Sequence, residues 1–268
     1  MQKIDSLDLP ELTPYRTMRR QLEQREQGIF VAEGEKVVRR LLESNFTVVS
    51  LLLPEKWARE YEPLLRARRE TIPVYVADKE VLETLTGFSM YQGVLAVGKV
   101  PAARTLESLL QTGTRPYLFA AVDGLNNAEN LGALVRNAAA FGVQALLVSK
   151  TSSSPFLRRA VRSSMGTIFR LPVVEQLELP QALHELHARG VRCIAAHPHA
   201  DHRTLSQADF SKDCCIVFGS EGYGLSSETL TACDEAVAIP MAADVDSLNV
   251  GSAAAAFFYE ANRQRGKA

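Results

Sequence analysis

The sequence predicts an α/β protein built from two such units, and three observations carry that expectation. Apolar runs of strand length alternate with segments of helical period along nearly the whole chain. A stretch holding Pro101, Gly113 and Pro116 interrupts the alternation. The 268 residues suffice for two domains of ordinary size, each with a buried core. The expected division is therefore residues 1–100, a connection over 101–115 around a short helical "LESLLQ", and a second domain over 116–268.

In the first domain Arg16 to Glu26 is polar and helical, "IFVAEG" is a short strand and Glu35 to Glu43 alternates as an amphipathic helix. "FTVVSLLLP" reads as a buried strand, and Pro54 opens a basic helix in which Trp57 is a packing residue. "PVYVA" is a strand, Lys79 to Leu85 a helix, and "GVLAVG" a closing strand. Strands alternating with helices imply a largely parallel sheet. The second domain repeats the pattern with longer elements. These are strand "YLFAAVD", helix 128–141, strand "VQALLVS", a helix around 156–164, "LPVVE" and helix 180–189. Strands "VRCIAA" and "CCIVFG", a short helix after Ser226, strand "EAVAIP" and a helix from Leu248 to about Arg265 complete it.

No apolar run approaches the roughly 20 residues needed to span a bilayer, and the opening "MQKIDSLDLPEL" lacks a signal peptide's apolar stretch, so the expected location is cytoplasmic. Cys193, Cys214, Cys215 and Cys233 form no C-x-x-C pair, and three of them sit in strand-like apolar contexts. That suggests buried thiols in a reducing compartment, with neither disulfide staples nor structural zinc. Lys plus Arg and Asp plus Glu number 30 and 31, so the overall balance gives no hint of a polyanionic partner. The distribution says more. Between Asn130 and Val174 stand Arg136, Lys150, Arg158, Arg159, Arg162 and Arg170 without one Asp or Glu, a field that attracts phosphates if it is not merely a solvated basic face.

Ligands of open α/β sheets collect at the carboxyl ends of strands, and three strand-to-loop junctions stand out. "DGLNNAENLGALVRNAAAFG" places an Asn-rich turn before a small-residue helix that carries Arg136. In "VFGSEGYGLS", Gly219, Gly222 and Gly224 permit close backbone approach, and Glu221 puts a carboxylate in mid-loop. Its spacing matches neither the dinucleotide fingerprint nor a Walker A loop. In "IPMAADVDSLNVGSAAAAFFYE", Ser247 and Asn249 flank Leu248 at the start of a helix whose N-terminus offers free N–H donors. Taken alone, Ser247 is an N-cap.

In order and spacing these three loops resemble the motifs of the SpoU (TrmH-like) class of SPOUT RNA methyltransferases, over residues 117–262. "FVAEGEKVV" and "YQGVLAV" look like the substrate-binding domain often fused to that class. The resemblance implies a C-terminal deeply knotted (trefoil) domain, a smaller N-terminal α/β RNA-binding domain, and a homodimer whose site draws on both subunits. The implied reaction is methyl transfer from S-adenosylmethionine to a ribose 2′-hydroxyl of RNA, ribosomal RNA ahead of tRNA, with no membrane and no metal. By position the donor would rest on Ala196, Gly219, Ile239, Met241 and Leu248, while Asn130, Arg136, Glu221, Ser247 and Asn249 take the places of the polar active-site residues. Arg158, Arg159 and Arg162 are the expected RNA contacts. One departure is visible: "GLNNAE" stands where the family usually has Pro and Gly.

The sulfonium donor is already activated, so alignment of the attacking oxygen and disposal of its proton are what the protein must supply. A guanidinium is a donor with no acceptor, so the role expected of Arg136 is to grip the substrate phosphate and stabilise developing oxyanion charge. The bland alternative pairs it with Asp123 or Glu129. "HPHADH" (His197, His199, His202) invites a metal, but no carboxylate or Cys completes a tetrahedral set, and the matching family region binds none. Two further alternatives are an RNA-binding member without catalysis, opposed by the intact Arg136, Glu221, Ser247 and Asn249, and another nucleotide-dependent α/β enzyme, opposed by the missing phosphate fingerprint.

Overall fold

A computed structural model describes residues 1–85, 93–198 and 203–266. The first elements are β1 (Gln2–Lys3), α1 (Thr13–Arg16), α2 (Gln21–Glu26), β2 (Ile29–Glu33), α3 (Glu35–Leu42), β3 (Val48–Leu53), α4 (Glu55–Arg66), β4 (Val74–Val76), α5 (Lys79–Glu83) and β5 (Leu95–Lys99). Then come α6 (Leu106–Thr112), β6 (Leu118–Val122), α7 (Ala128–Ala140), β7 (Ala145–Ser149), α8 (Arg158–Ser163), β8 (Val173–Leu177), α9 (Leu179–Ala188) and β9 (Arg192–Ala196). Strand β10 (Cys214–Phe218), α10 (Ser227–Thr231), β11 (Glu235–Val237) and α11 (Val250–Gln264) close the chain. Among the described residues no helix is long and apolar enough to cross a membrane.

Two compact units emerge: Met1–Ala102 with Phe156–Phe169, and Ala103–Pro155 with Arg170–Ala268. The sheet of the first is ordered β1-β4-β3-β5-β2. It is not largely parallel as expected. Strand β5 inserts between β3 and β2 and runs antiparallel to both, while β3 and β1 pair with β4 in parallel. A doubly covered strand reads as an apolar run in either direction, so local pattern carries no sign of the reversal. The single helix expected over Arg16 to Glu26 is broken into α1 and α2, with Arg20 in a non-helical conformation between them.

The segment Phe156–Phe169 belongs to this first unit by packing. The Phe30 ring lies 6.0 Å from Phe156 and 5.5 Å from Phe169, and Phe46 lies 6.0 and 5.4 Å from the same two. Arg40 donates to the Met165 carbonyl at 2.6 Å, holding a turn in which Met165 and Gly166 both have positive φ. The stretch read as a connection is also folded. Thr105 caps α6 by accepting from Ser108 N–H at 3.2 Å, and Leu106 and Leu109 sink into the core of the second unit.

That second unit is an all-parallel sheet ordered β11-β9-β10-β6-β7-β8, as the β-α alternation requires. The chain advances from β6 through β7 to β8 on one side, then returns to build β9, β10 and β11 on the other. The loops after β6, β9, β10 and β11 thus share the carboxyl edge of four neighbouring strands, where a doubly wound sheet opens its crevice. Helix α11 lies along α7, with the Asn137 side chain donating to the Gly251 carbonyl at 2.7 Å. Phe257 and Phe258 set their edges against Phe218 of β10 at 5.8 and 5.5 Å. At the far end, Arg265 donates to the carbonyls of Phe210, Pro116 and Tyr117 at 2.7, 3.0 and 2.9 Å. Binding several loop carbonyls with one guanidinium fixes where the helix ends.

Candidate active site

Buried Asp123, at the end of β6, organises the first two loops. Its Oδ2 accepts from the backbone N–H and hydroxyl of Ser226 at 3.1 and 2.7 Å, and its Oδ1 from the Thr151 hydroxyl at 3.3 Å. Burial acts to raise its pKa, but hydrogen bonds from Ser226, Thr229 and Thr151 outweigh that and hold it below the usual aspartate value. The departing "GLNNAE" stretch is stitched to the loop after β7. Leu125 N–H reaches the Ser152 hydroxyl at 3.1 Å, and the Ser153 hydroxyl reaches the Asn126 carbonyl at 2.8 Å. Asn127 then caps α7, accepting from the N–H groups of Glu129 and Asn130 at 2.9 and 3.2 Å. A hydroxyl-lined bed thus supports the turn without Pro or Gly at the family positions.

The glycine loop after β10 is a closed hairpin. Ser220 and Gly224 exchange backbone hydrogen bonds of 2.9 Å each way, and a Cβ built on Gly219 would lie 2.2 Å from the Gly224 carbonyl carbon. No other residue fits at Gly219 while the hairpin stays shut. The closure turns Glu221 towards α7 and α11. Asn249 donates to one carboxylate oxygen at 2.8 Å, Asn130 donates to the other, and Asn249 also donates to Asn130 Oδ1 at 3.1 Å. Three polar residues, one from each sequence motif, therefore form one hydrogen-bonded cluster.

Beside the cluster lies a pocket of about 360 Å³. All five residues expected to hold the donor line it: Ala196, Gly219, Ile239, Met241 and Leu248. Glu221 and Ser247 line it too, with His197, Tyr223, Asp246 and the buried apolar floor of Phe218, Val237 and Phe257. Ser247 is not the cap of α11. That role falls to Asn249, which accepts from Gly251 N–H at 2.9 Å, leaving the Ser247 hydroxyl without a hydrogen-bond partner among the described residues. Sequence pattern missed Asp123 and Tyr223. The Asp at a strand end followed by Gly was the available signal for the first; an aromatic between two glycines was the signal for the second.

Other expected residues stand elsewhere. Arg136 is exposed on α7 and does not line the pocket; among the described residues it has no hydrogen-bond or ion-pair partner, so it pairs with neither Asp123 nor Glu129. Six residues past Asn130 is about 240° around a helix, whereas Asn137, seven past, shares its face and meets α11. Arg158 and Arg162 both pair with Glu33 of β2, Arg162 at 3.2 Å, and the Arg158 and Glu33 side chains are only 16% and 14% exposed. Arg159 stands exposed with no partner among the described residues. His199 and His202 lie outside the described residues. Burial pushes the Cys214 and Cys233 thiols up to about 11 and about 12, which keeps them protonated and unreactive.

Comparison with known proteins agrees with this geometry. A family model described as the SpoU rRNA Methylase family matches residues 117–259, and one described as an MRM3-like substrate binding domain matches 14–96. An uncharacterized tRNA/rRNA methyltransferase of Mycobacterium tuberculosis is 35% identical over 240 residues, covering 88% of this chain and 81% of its own length. The 23S rRNA (guanosine-2′-O-)-methyltransferase of Ralstonia nicotianae is 35% identical over 190 residues, covering 70% and 76%. The solved SpoU methyltransferase AviRb from Streptomyces viridochromogenes, in complex with the cofactor AdoMet, superposes with a TM-score of 0.83 at 27% identity, over 96% of this chain and 98% of that one.

Proposed function

We propose, from the premise that this chain belongs to the SpoU rRNA methylase family, that it transfers the methyl group of S-adenosylmethionine to a ribose 2′-hydroxyl of ribosomal RNA. The observation that carries this reading is the Asn130–Glu221–Asn249 cluster at the edge of the pocket lined by Ala196, Gly219, Ile239, Met241 and Leu248. Apolar walls, a backbone hairpin pressed close and a volume of about 360 Å³ suit a nucleoside-sized ligand. Bound there, S-adenosylmethionine supplies a methyl group already activated on a sulfonium.

The protein's share is alignment and proton disposal. Glu221, with an amide on each oxygen, braces the glycine hairpin against α7 and α11 and is a positioning residue rather than a free base. The Ser247 hydroxyl, without a hydrogen-bond partner among the described residues, faces the arriving ribose. Arg136 is exposed and does not line its own chain's pocket, so in this reading it serves the site of a second copy. It grips the substrate phosphate with two N–H donors and stabilises charge on the attacking oxygen, whose proton leaves to phosphate or water. A homodimer with α7 and α11 at its interface, a last helix threaded as a knot, an N-terminal unit that holds the RNA, and a cytoplasmic location belong to the same reading. Helix α11 is tied to α7 at its start and, through Arg265, to the carbonyls ahead of β6 and β10 at its end, contacts that accord with the threading.

The test incubates the full chain with methyl-labelled S-adenosylmethionine and deproteinised ribosomal RNA from cells lacking the gene, then digests the RNA to nucleosides. A labelled 2′-O-methyl nucleoside at one position is expected. A methylated base, or transfer confined to tRNA, would overturn the assignment.

A further inference from the structure

Tyr223 is 98% exposed, the most exposed large apolar side chain among those described, and it stands on the rim of the donor pocket. Scattered surface aromatics need no explanation by themselves. This one differs in how it is held. The Ser220–Gly224 hydrogen bonds close the hairpin on either side of it, and its own N–H donates to the Ser220 hydroxyl at 3.1 Å. Its neighbours Gly222 and Gly224 bring no side chain to cover the ring, and among the described residues the ring makes no aromatic or cation–π contact. Two residues earlier Glu221 is clamped by Asn130 and Asn249, so the backbone from which the ring projects is braced at the site itself. The result is a bare aromatic face on a braced backbone at the mouth of the pocket where the ribose must arrive.

We infer that Tyr223 is a stacking platform for a nucleobase of the strand whose ribose enters the pocket. The inference rests on the RNA methyltransferase reading above and deepens it. Bases stack on aromatic faces only when unpaired, because an A-form helix already stacks both of their faces. The acceptor nucleotide therefore lies in an unpaired segment of RNA, opened so that one base covers Tyr223 while the 2′-hydroxyl faces Ser247.

The test uses the full chain as wild type, Tyr223→Ala, Tyr223→Leu and Tyr223→Phe, with saturating S-adenosylmethionine and increasing deproteinised ribosomal RNA from cells lacking the gene. Losing one base–aromatic stack should raise KM for RNA about tenfold in the Ala and Leu variants, with the Phe variant within about twofold of wild type. Tyr223 stands on the rim of the donor pocket, so affinity for S-adenosylmethionine should change far less than KM for RNA; the mass in solution should not move, and a fully paired RNA duplex should bind wild type and Tyr223→Ala equally. Unchanged KM in the Ala variant, or a Leu variant as good as Phe, overturns the stacking role. A matching loss of donor affinity would assign the ring to the donor pocket instead, and a change of mass would assign it to contact with a second copy. Absence of transfer to any RNA by the wild type is the separate result that would sink the functional reading itself.

Discussion

Gly219→Ala isolates what the glycine hairpin contributes. The added Cβ would lie 2.2 Å from the Gly224 carbonyl carbon, 2.4 Å from its oxygen and 2.4 Å from the Leu225 nitrogen. Ordinary carbon–carbon contact begins near about 3.5 Å, so backbone must part by about 1.3 Å, and no rotamer relieves it. The Ser220–Gly224 hydrogen bonds are 2.9 Å long in each direction, and opening of that size breaks both. Two lost bonds at about 1 kcal/mol each, with on the order of 1 kcal/mol of residual strain, give about 3 kcal/mol. Because Ser220 to Gly224 form one wall of the pocket, that cost falls on donor binding, and S-adenosylmethionine affinity should drop about a hundredfold in calorimetry. Gly222→Ala is the internal control: nothing in the chain lies within 4 Å of its added Cβ and its φ is not positive, so the hairpin stays shut and donor affinity should fall far less than in Gly219→Ala. The reasoning fails if Gly219→Ala binds the donor within about threefold of wild type, or if Gly222→Ala is equally crippled.

Arg136→Ala should leave the melting temperature and donor affinity near wild type while slowing methyl transfer at least about a hundredfold, and Arg136→Lys should recover little; near-normal turnover in the Ala variant would remove Arg136 from the reaction. Asp123→Asn should cost about 2 kcal/mol at neutral pH, measured by denaturant unfolding. Since the folded-state pKa of Asp123 is depressed, its contribution is present above the unfolded value near about 3.9 and vanishes as pH falls through the folded value, so the gap between wild type and Asn should close in acid. A gap unchanged between pH about 7 and pH about 2.5 would refute this. Arg158→Ala strands Glu33 with only the exposed Arg162 and should destabilise the chain by on the order of 2 kcal/mol. Arg159→Ala should instead leave stability alone and lower the salt slope of RNA binding by roughly 0.7 to 0.9, which salt titration of binding would check. Deleting residues 1–102 uncovers Phe156 and Phe169, so the remaining fragment should aggregate until both are replaced by Ser, as light scattering would report; a soluble unmodified fragment would contradict the grouping of that segment with the first unit.

The order of most strands and helices and the parallel sheet of the second unit were legible in the sequence. Each is written in local terms, since apolar period names the element and strands alternating with helices make the sheet parallel; the donor residues Gly219, Ile239, Met241 and Leu248, which converge on the pocket, were named by the resemblance. Their polar neighbours were named by the resemblance, yet that Asn130, Glu221 and Asn249 bond to one another depends on side-chain directions that only the packed loops set. Tertiary structure also decided the direction of β5 and the packing of the expected helix within 101–115, α6, into the core of the second unit, because either outcome satisfies the same apolar pattern. The run from Asn130 to Val174 holds no acid, and still Arg158 and Arg162 share a carboxylate, since Glu33 reaches them from β2. Charge along a chain is a property of neighbours in sequence, whereas the field a ligand meets is set by neighbours in space. Arg136 shows the same divide: its presence on the helix is local, but the face it occupies, outside the lining of its own pocket while Asn137 takes the packed side, follows from where α11 lies.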